Sequence, residues 1–285
     1  GVTLIHEHVF LDWTPADSID PTQWNEEAAF ERILPFLLEA RQAGVQTFLE
    51  CTPNYLGRHP ALLRRLAAAS GLHIVTNTGY YGARKDQHLP RHAFEETPRQ
   101  LADRWIEEYE NGISGTSIRP GFMKIGVDSD SVLSPVDEKL VRAAALAHLA
   151  TGLTIVAHTG PDAPARQEMA ILREMGVAPE AWVWTHAQNG TSATQVELAR
   201  QGAWISLDGL GWIAPQAHAG DSSALLHYLD MIDHLRQNDL LSRTLLSHDA
   251  GWYTHGQAEG GATYQPYTAL FELVIPALRR RGYTE

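Results

Sequence analysis

Two histidines lie two positions apart near the start of the chain, in the stretch TLIHEHVFLD at residues 3–12. In a β-strand, His6 and His8 would face the same side, together with Leu4, because side chains alternate along a strand. Imidazole is a preferred ligand of zinc and related divalent ions, so two on one face can begin a metal site. Histidines that only pack or lie on the surface can have the same spacing, and further ligands are needed to decide.

A lysine interrupts the apolar run GFMKIGV at residues 121–127. Strand alternation divides this run into one face with Met123, Ile125 and Val127, and an opposite face with Phe122, Lys124 and Gly126. The first face suits a covering layer of helices, so Lys124 is predicted to point to the inside. A buried ammonium group is costly, and the alternative is that the Lys124 side chain extends along the strand to reach solvent.

Three further candidate ligands follow: His158 in IVAHTG, His186 in WVWTHAQNG and Asp249 in LLSHDAGW. Each lies near the carboxyl end of a short apolar run, and turn residues come soon after it. Imidazole and carboxylate together form a ligand set that Zn²⁺, Mn²⁺ or Co²⁺ accepts. One such histidine alone is more often a hydrogen-bonded core residue, so their meaning depends on whether the fold brings them together.

Short β-rich runs alternate with longer amphipathic segments, as in a parallel sheet covered by helices. Eight runs fit barrel strands: 3–9, 45–51, 73–79, 121–127, 153–159, 181–187, 203–209 and 243–249. Helix-like segments include 25–44, 97–112, 136–152 and a last one at 267–282, which would close the ring. The 285 residues suit a (β/α)₈ barrel, typically ~250 residues plus insertions. We therefore predict the α/β class, a TIM barrel in which residues 1–285 form a single domain, with long loops at 79–98 and 250–266.

Active sites of such barrels form at the carboxyl ends of the strands, from several strands at once. All the candidate residues share that position, and six groups are predicted to converge there: His6, His8, Lys124, His158, His186 and Asp249.

The composition narrows the class of partner. Twenty-two Lys and Arg against 34 Asp and Glu give a formal charge of −12, which argues against nucleic acid and anionic membranes and favours a small-molecule substrate. Cys51 is the sole cysteine, so no intrachain disulfide or cysteine-based zinc finger can form, and a cytoplasmic location is expected. No apolar run approaches the ~20 residues of a membrane span. The first predicted strand begins almost at residue 1. Two alternatives therefore stay open: that the native ends were trimmed, and that a leader was removed.

The motifs HEH, GFMKIG, AHTG, THAQNG and LSHD, in this order and spacing, resemble the phosphotriesterase-like branch of the amidohydrolase superfamily, which includes phosphotriesterase-related proteins and phosphotriesterase-like lactonases. The similarity runs from residue 3 to the final helix. It implies that His6, His8 and Asp249 hold a more buried ion, and that His158 and His186 hold a more exposed one. It also implies that CO₂ carboxylates Lys124 to a carbamate that bridges both ions. Two divalent ions would neutralise such an anion, which removes the cost of a buried cation.

The implied cofactors are two divalent metal ions, zinc first and manganese or cobalt as alternatives, bridged by carboxylated Lys124 and a hydroxide. Such a centre lowers the pKa of the shared water, and Asp249 is the expected proton acceptor. The expected enzyme is a metal-dependent hydrolase of ester bonds without a covalent intermediate, a lactonase or carboxylesterase first, with phosphotriesterase activity secondary. The resemblance also implies a homodimer.

Two aromatic residues are candidate substrate contacts. Tyr81, in TGYY, matches the family segment whose second aromatic lines the pocket, and Trp252 belongs to the loop after the eighth strand. For both, packing is the alternative role. Family lactonases of acyl-homoserine lactones carry an arginine directly after the seventh-strand aspartate, where this chain has Gly209. That departure weakens an assignment to quorum signals.

A serine hydrolase is a rival function. Ser247, His248 and Asp249 are consecutive, but alternation turns His248 away from its neighbours, whereas a catalytic triad must converge, and no G-x-S-x-G elbow is present. His248 is therefore expected to be structural, and Glu7 to turn away from the metals. Three alternatives stay open. They are an amidohydrolase, a hydrolase of phosphorylated sugar lactones, for which Arg84 and Lys85 are the suggestive pair, and a non-catalytic metal-containing binding protein. Other histidines, such as His59, His92, His218, His227 and His234, are expected at the surface.

Overall fold

Strands and helices alternate along residues 1–284, the part of the chain that the computed structural model describes. The barrel strands are β1 (Val2–Glu7), β2 (Val45–Glu50), β3 (His73–Val75, continued by Asn77–Thr78), β4 (Phe122–Gly126), β5 (Ile155–His158), β6 (Trp182–Thr185), β7 (Trp204–Leu207) and β8 (Thr244–Leu246). All eight lie within or next to the runs predicted from sequence. The prediction of a (β/α)₈ barrel is confirmed.

Every ladder between neighbouring barrel strands is parallel. One sheet runs from β1 through β2 to the first part of β3, and the other from the second part of β3 through β4 to β8. The ring closes between β8 and β1, where the backbone N–H of Asp249 donates to the carbonyl of His6 at 3.0 Å. Beyond the barrel rim, Phe10–Leu11 pairs in parallel with Tyr253–Thr254 and extends the wall above the closure.

Helices cover the outside of the barrel. They are α1 (Glu26–Gln42), α2 (Pro60–Ser70), α3 (Arg91–Glu95), α4 (Pro98–Asn111), α5 (Pro135–Thr151), α6 (Asp162–Glu174), α7 (Ser192–Gln201), α8 (Leu210–His218), α9 (Ser223–Gln237) and α10 (Ile275–Arg280), the last preceded by a π-helical turn at Leu270–Val274. The segments predicted at 25–44, 97–112, 136–152 and 267–282 are all helical. Capping boxes at Thr97 and Ser134 begin two of them.

Two details of the loop predictions need correction. The predicted loop at 79–98 contains α3, and the predicted loop at 250–266 contains the short strand Tyr253–Thr254. Both elements are too short for their sequences to show the periodic pattern of a helix or a strand. Among residues 1–284, no helix combines the length and the apolar character that crossing a bilayer requires.

The alternation along β1 is broken just before the candidate ligands. Its register with β2 shifts between Leu4 and Glu7, and the backbone N–H groups of Ile5 and His6 both donate to Ser247 Oγ at 3.1 Å. Leu4 packs in the core between strands and helices, while Ile5 lines the barrel interior. The prediction that Leu4 shares the face of His6 and His8 is therefore wrong, because a bulge-like irregularity turns two successive residues inward.

A buried glutamate lies between α6 and the barrel. Glu168 is fully buried and contacts Thr159 Oγ1 at 2.8 Å and Trp182 Nε1 at 2.9 Å. Burial raises the pKa of Glu168 to about 8, although its hydrogen bonds to Thr159 and Trp182 act in the opposite direction. The carboxyl group is thus protonated in the folded protein at neutral pH.

We expect Glu168→Gln to stabilise the protein increasingly as the pH rises. In the unfolded chain the Glu168 carboxyl ionises near its ordinary pKa of 4.5, whereas in the folded protein it keeps its proton up to about pH 8. The wild type therefore loses stability across that window, and the neutral amide does not. Chemical denaturation at pH 5 and pH 9 should show the advantage of the variant growing by on the order of 3 kcal/mol. Glu31→Gln, on the exposed side of α1, is the control, and an equal difference at both pH values would contradict the expectation.

Candidate metal centre

The six predicted residues come together at the carboxyl ends of the barrel strands. His6 lies at the end of β1 and His8 just beyond it, Lys124 lies in β4 and His158 ends β5. His186 directly follows β6, and Asp249 lies three residues after β8. A cavity of about 40 Å³ among them is lined by His6, His8, Lys124, His158 and Asp249, together with aromatic and apolar side chains.

Three of these residues form a compact group of possible ligands. One ligand atom from each of His6, His8 and Asp249 lies within 4.8 Å of the others, and all three residues are buried. Asp249 Oδ1 is 3.1 Å from His8 Nε2 and 3.6 Å from His6 Nε2. Two imidazoles and a carboxylate in such proximity fit a divalent transition ion.

The other three residues adjoin this group. Lys124 Nζ lies 3.0 Å from His6 Nε2, and His158 Nδ1 lies 2.8 Å from His186 Nε2. His186 Nε2 is in turn 4.0 Å from Asp249 Oδ2. The lysine is only 1% exposed, so its amino group ends inside the cluster and does not reach solvent.

Asp208, which follows β7, fixes the orientation of two histidines. His6 Nδ1 donates to its Oδ2 at 2.9 Å, and His186 Nδ1 donates to its Oδ1 at 2.8 Å. With Nδ1 carrying the proton, the neutral form of each ring presents an unprotonated Nε2 to the cluster. His6, His186 and Asp208 also lie close enough to hold an ion, but these two hydrogen bonds account for their proximity.

His8 is oriented by a comparable chain on the other side. Its Nδ1 lies 2.8 Å from Thr52 Oγ1, and Thr52 donates its hydroxyl proton to Glu50. The Thr52 oxygen can therefore only accept from His8, which leaves His8 Nε2 as the free nitrogen. Burial raises the pKa of Glu50 to about 7, against the opposing effect of His8 and the hydrogen bonds from Thr52.

The pKa values of several residues in the cluster are shifted in the direction that favours binding of a cation. Burial, followed by the nearby Lys124, lowers the pKa of His6 to about 4, and burial likewise lowers that of His158 far below its ordinary value. Burial alone would raise the pKa of Asp249, but His6, His8 and His186 outweigh it and hold that pKa well below the usual range. At neutral pH the site therefore presents neutral His6 and His158 and an ionised Asp249, which are the forms that bind metal. Burial acts to lower the pKa of His186, but Asp208 outweighs it, so that this pKa is instead raised.

The backbone is strained at two of these residues. His186 has φ of 58° and Asp249 has φ of 50°, in the left-handed region that non-glycine residues adopt at a cost. The strain is held by the surrounding hydrogen bonds. The backbone N–H of His186 donates to Asp208 Oδ1 at 3.0 Å, and that of Asp249 donates to His6 O.

Glu7 lies outside the cluster, as predicted, and connects the first strand to the last. It is fully buried and accepts hydrogen bonds from Ser247 Oγ at 2.6 Å, from the backbone and Nδ1 of His248, and from the backbone of Ala250. His248 Nε2 accepts from the backbone of Leu270. The side chains of Ser247 and His248 are thus both used in hydrogen bonds within the barrel wall. Ser247, His248 and Asp249 do not converge as a triad.

Two clefts open beside the cluster, and His158, Trp212 and Asp249 line both of them. One is about 560 Å³ and extends toward Gln188, Asn189, His227 and Tyr228. The other is about 370 Å³ and extends toward Trp13, Tyr81, Arg84 and Trp252. A substrate could therefore extend to either side of the cluster.

Tyr81 and Trp252 both reach the cluster. Tyr81 Oη lies 3.3 Å from His158 Nε2, and the Trp252 ring packs 5.7 Å from the ring of His8. Trp252 Nε1 also donates to the carbonyl of Asp249 at 2.9 Å. Trp252 thus combines the two roles considered from sequence, since it lines a cleft and holds its own loop.

Gly209 borders the larger cleft, and the ends of two side chains lie close to it. A Cβ atom there would lie 2.4 Å from Tyr228 Oη and 2.7 Å from Gln188 Nε2. His227, expected at the surface away from the site, is exposed but lines this same cleft. Helix α9 carries it there, which strand-end reasoning did not consider.

Sequence reasoning also missed Asp208, Thr52 and Trp212. Asp208 could have been found, because it follows its strand at the same level as the predicted ligands and Ser206 shares its face. Trp212 Nε1 donates to Asp249 Oδ2 at 3.1 Å, a contact between helix α8 and the loop after β8. Such a contact depends on how the two elements pack, and no spacing in the sequence indicates it.

Known proteins resemble this chain over its full length. The profile described as Phosphotriesterase family matches residues 1–285. The phosphotriesterase homology protein of Escherichia coli is 28% identical, covering 100% of this chain and 92% of that protein. An aryldialkylphosphatase of Saccharolobus solfataricus is also 28% identical, covering 100% and 90%. A crystal structure of a variant of the Deinococcus radiodurans PTE-like lactonase has a TM-score of 0.86 at 27% identity, covering 100% and 91%.

Proposed function

This chain belongs to the phosphotriesterase family, and we propose that it hydrolyses ester or lactone bonds at a centre of two divalent metal ions. Membership makes it a metal-dependent hydrolase of the phosphotriesterase and lactonase type. The finer assignment is supported above all by one observation: His6, His8 and Asp249 offer three buried ligand atoms within 4.8 Å, with Lys124, His158 and His186 beside them.

We assign the residues as follows. His6, His8 and Asp249 would hold one ion, His158 and His186 the other, and Lys124, as its carbamate, would bridge them. When bound, two divalent ions activate water and polarise the scissile carbonyl or phosphoryl group. The donor set fits, since His6 and His186 have Nδ1 bound to Asp208 and His8 has Nδ1 bound to Thr52.

The proton released from the attacking water needs an acceptor, and Asp249 is that acceptor. Its carboxylate is ionised at neutral pH and lies inside the cluster, between both clefts. Tyr81 and Trp252 form the aromatic wall against which one arm of the substrate packs, while the other arm enters the larger cleft past Gly209. The whole of residues 1–285 acts as one hydrolase barrel on a small-molecule substrate.

A lactone or carboxylic ester is favoured over a phosphotriester as the best substrate. The PTE-like lactonase of known structure supports the first, and the aryldialkylphosphatase relative supports the second as a secondary activity. The Tyr228 hydroxyl and the Gln188 amide lie beside Gly209. Family lactonases of acyl-homoserine lactones carry an arginine at this position. A substrate that offers neutral polar groups to this side is therefore expected.

The test is a substrate panel on protein reconstituted with Zn²⁺, Mn²⁺ or Co²⁺ in the presence of bicarbonate. We expect close to two ions per chain by elemental analysis, and the highest kcat/KM for a lactone or carboxylic ester, with phosphotriesters and N-acyl amides lower. Fewer than one ion per chain together with no hydrolysis would refute the proposal. Full metal content without hydrolysis of any substrate class would instead favour a metal-containing binding protein.

A further inference from the structure

The start of helix α8 is attached to the segment between β8 and Asp249. The backbone N–H groups of Leu210 and Gly211, the first two residues of α8, donate to the carbonyls of Ser247 and His248 at 3.3 and 2.9 Å. A Cβ on Gly211 would come within 3.0 Å of the His248 carbonyl oxygen, so glycine permits this close approach. The next residue, Trp212, is consequently directed at Asp249.

The two oxygens of Asp249 have different surroundings. Oδ1 faces His8 and His6, whereas Oδ2 accepts from Trp212 Nε1 at 3.1 Å. The main chain of the same residue is held by a second indole, since Trp252 Nε1 donates to its carbonyl. The two indole rings pack edge to face, 5.3 Å apart, so each supports the orientation of the other.

From this geometry we propose that Trp212 is a positioning residue that holds the Asp249 carboxylate with Oδ2 turned toward the indole and Oδ1 turned toward His6 and His8. This inference rests on the proposed function, because it concerns the residue assigned there as ligand and proton acceptor. Without the indole N–H, the Asp249 side chain can rotate about its last bond and exchange the two oxygens.

The nature of the donor adds a second consequence. An indole N–H donates and cannot accept, so a proton on Asp249 does not pass to Trp212 and must leave toward the substrate or water. The Trp212 side chain is also 51% exposed and lines both clefts. The residue that orients Asp249 is therefore also the surface that separates the two arms of a bound substrate.

Two substitutions separate these roles. Trp212→Phe keeps an aromatic wall but has no donor. Trp212→Gln loses the wall but places an N–H donor the same number of bonds from the backbone as the indole nitrogen. With Co²⁺-loaded enzyme, we expect kcat of the phenylalanine variant to fall about tenfold or more, as for loss of a hydrogen bond to a charged group, with little change in KM. The glutamine variant should recover most of kcat while its KM rises.

A spectroscopic measurement tests the same inference without turnover. The visible spectrum of bound Co²⁺ should shift in Trp212→Phe, because Asp249 reorients, and should stay close to wild type in Trp212→Gln. Trp204→Phe is the matched control: it removes an indole N–H that donates to the Glu180 carbonyl near the start of β7, at the opposite end of the barrel. Thermal unfolding of each metal-free variant establishes that it folds.

The outcomes are distinguishable from those of the proposed function. A wild-type kcat and spectrum in Trp212→Phe would overturn the positioning role, and so would an equal loss of kcat in both variants, which would mean that the ring matters and the N–H does not. If the wild type hydrolyses no substrate, the proposed function fails, and the Co²⁺ spectra still decide whether Trp212 orients Asp249.

Discussion

Replacing Lys124 with methionine is expected to remove metal binding and hydrolysis together. Lys124 Nζ ends 3.0 Å from His6 Nε2, inside the cluster, and methionine fills a similar volume without a group that CO₂ can modify. If Lys124 bridges the ions as a carbamate, its loss leaves two adjacent cations without their shared anion. We expect kcat/KM to fall at least about 10³-fold, corresponding to several kcal/mol of lost transition-state stabilisation, and metal content to fall below one ion per chain.

The fold itself should tolerate this substitution. A buried amino group is exchanged for an apolar side chain, which removes a desolvation cost, so the metal-free variant should unfold at the same temperature as the metal-free wild type or higher. Bicarbonate should speed metal reconstitution of the wild type and have no effect on Lys124→Met. A variant that retains both ions and wild-type kcat/KM would exclude a bridging role for Lys124.

Replacing Asp208 with asparagine is expected to weaken metal binding through the tautomer of His6. The backbone N–H of His186 requires an acceptor at the Oδ1 position, so the new amide nitrogen will take the Oδ2 position, opposite His6 Nδ1. That nitrogen donates, and His6 Nδ1 must then accept. Its proton moves to Nε2, the atom needed for the ion. Affinity should fall about 10- to 100-fold, as for other partners that orient metal-binding histidines.

Competition with a chelator measures this effect, and the chain supplies a matched control. Ser206 Oγ also donates to Asp208 Oδ2, at 2.8 Å, but its removal in Ser206→Ala leaves the carboxylate and both histidine bonds in place. We expect a much smaller loss of affinity in that variant. If Asp208→Asn binds metal as tightly as wild type, then Asp208 does not set the tautomers.

Sequence alone was sufficient for the barrel and for the position of the six candidate residues. Strand alternation and the shared carboxyl end of parallel strands are local rules, and they place Lys124 inside and His158, His186 and Asp249 at one rim. The rule failed at Leu4, where the irregularity in β1 coincides with hydrogen bonds to Ser247 Oγ, a partner 242 positions away from Ile5. Local patterns carry no information about such a partner.

The contacts that orient the cluster were harder to predict than the cluster. Asp208 obeys the same strand-end rule as the ligands and was accessible from sequence. Trp212 and His227 were not, because helices α8 and α9 bring them to the site, and their direction depends on how each helix packs on the barrel. The glycine at position 209 was visible in the sequence, but the Tyr228 hydroxyl beside it could be located only in the fold.

Glu7 has a consequence for the order in which the protein is assembled. Its carboxylate receives the Ser247, His248 and Ala250 donors, and Asp249 sits between them, so the last strand must dock on the first before His6 and His8 gain their third partner. Those two histidines are made long before Asp249, which completes their site. A growing chain on the ribosome therefore has no complete three-ligand site until residue 249 has emerged, and tight metal uptake would report that the ring has closed.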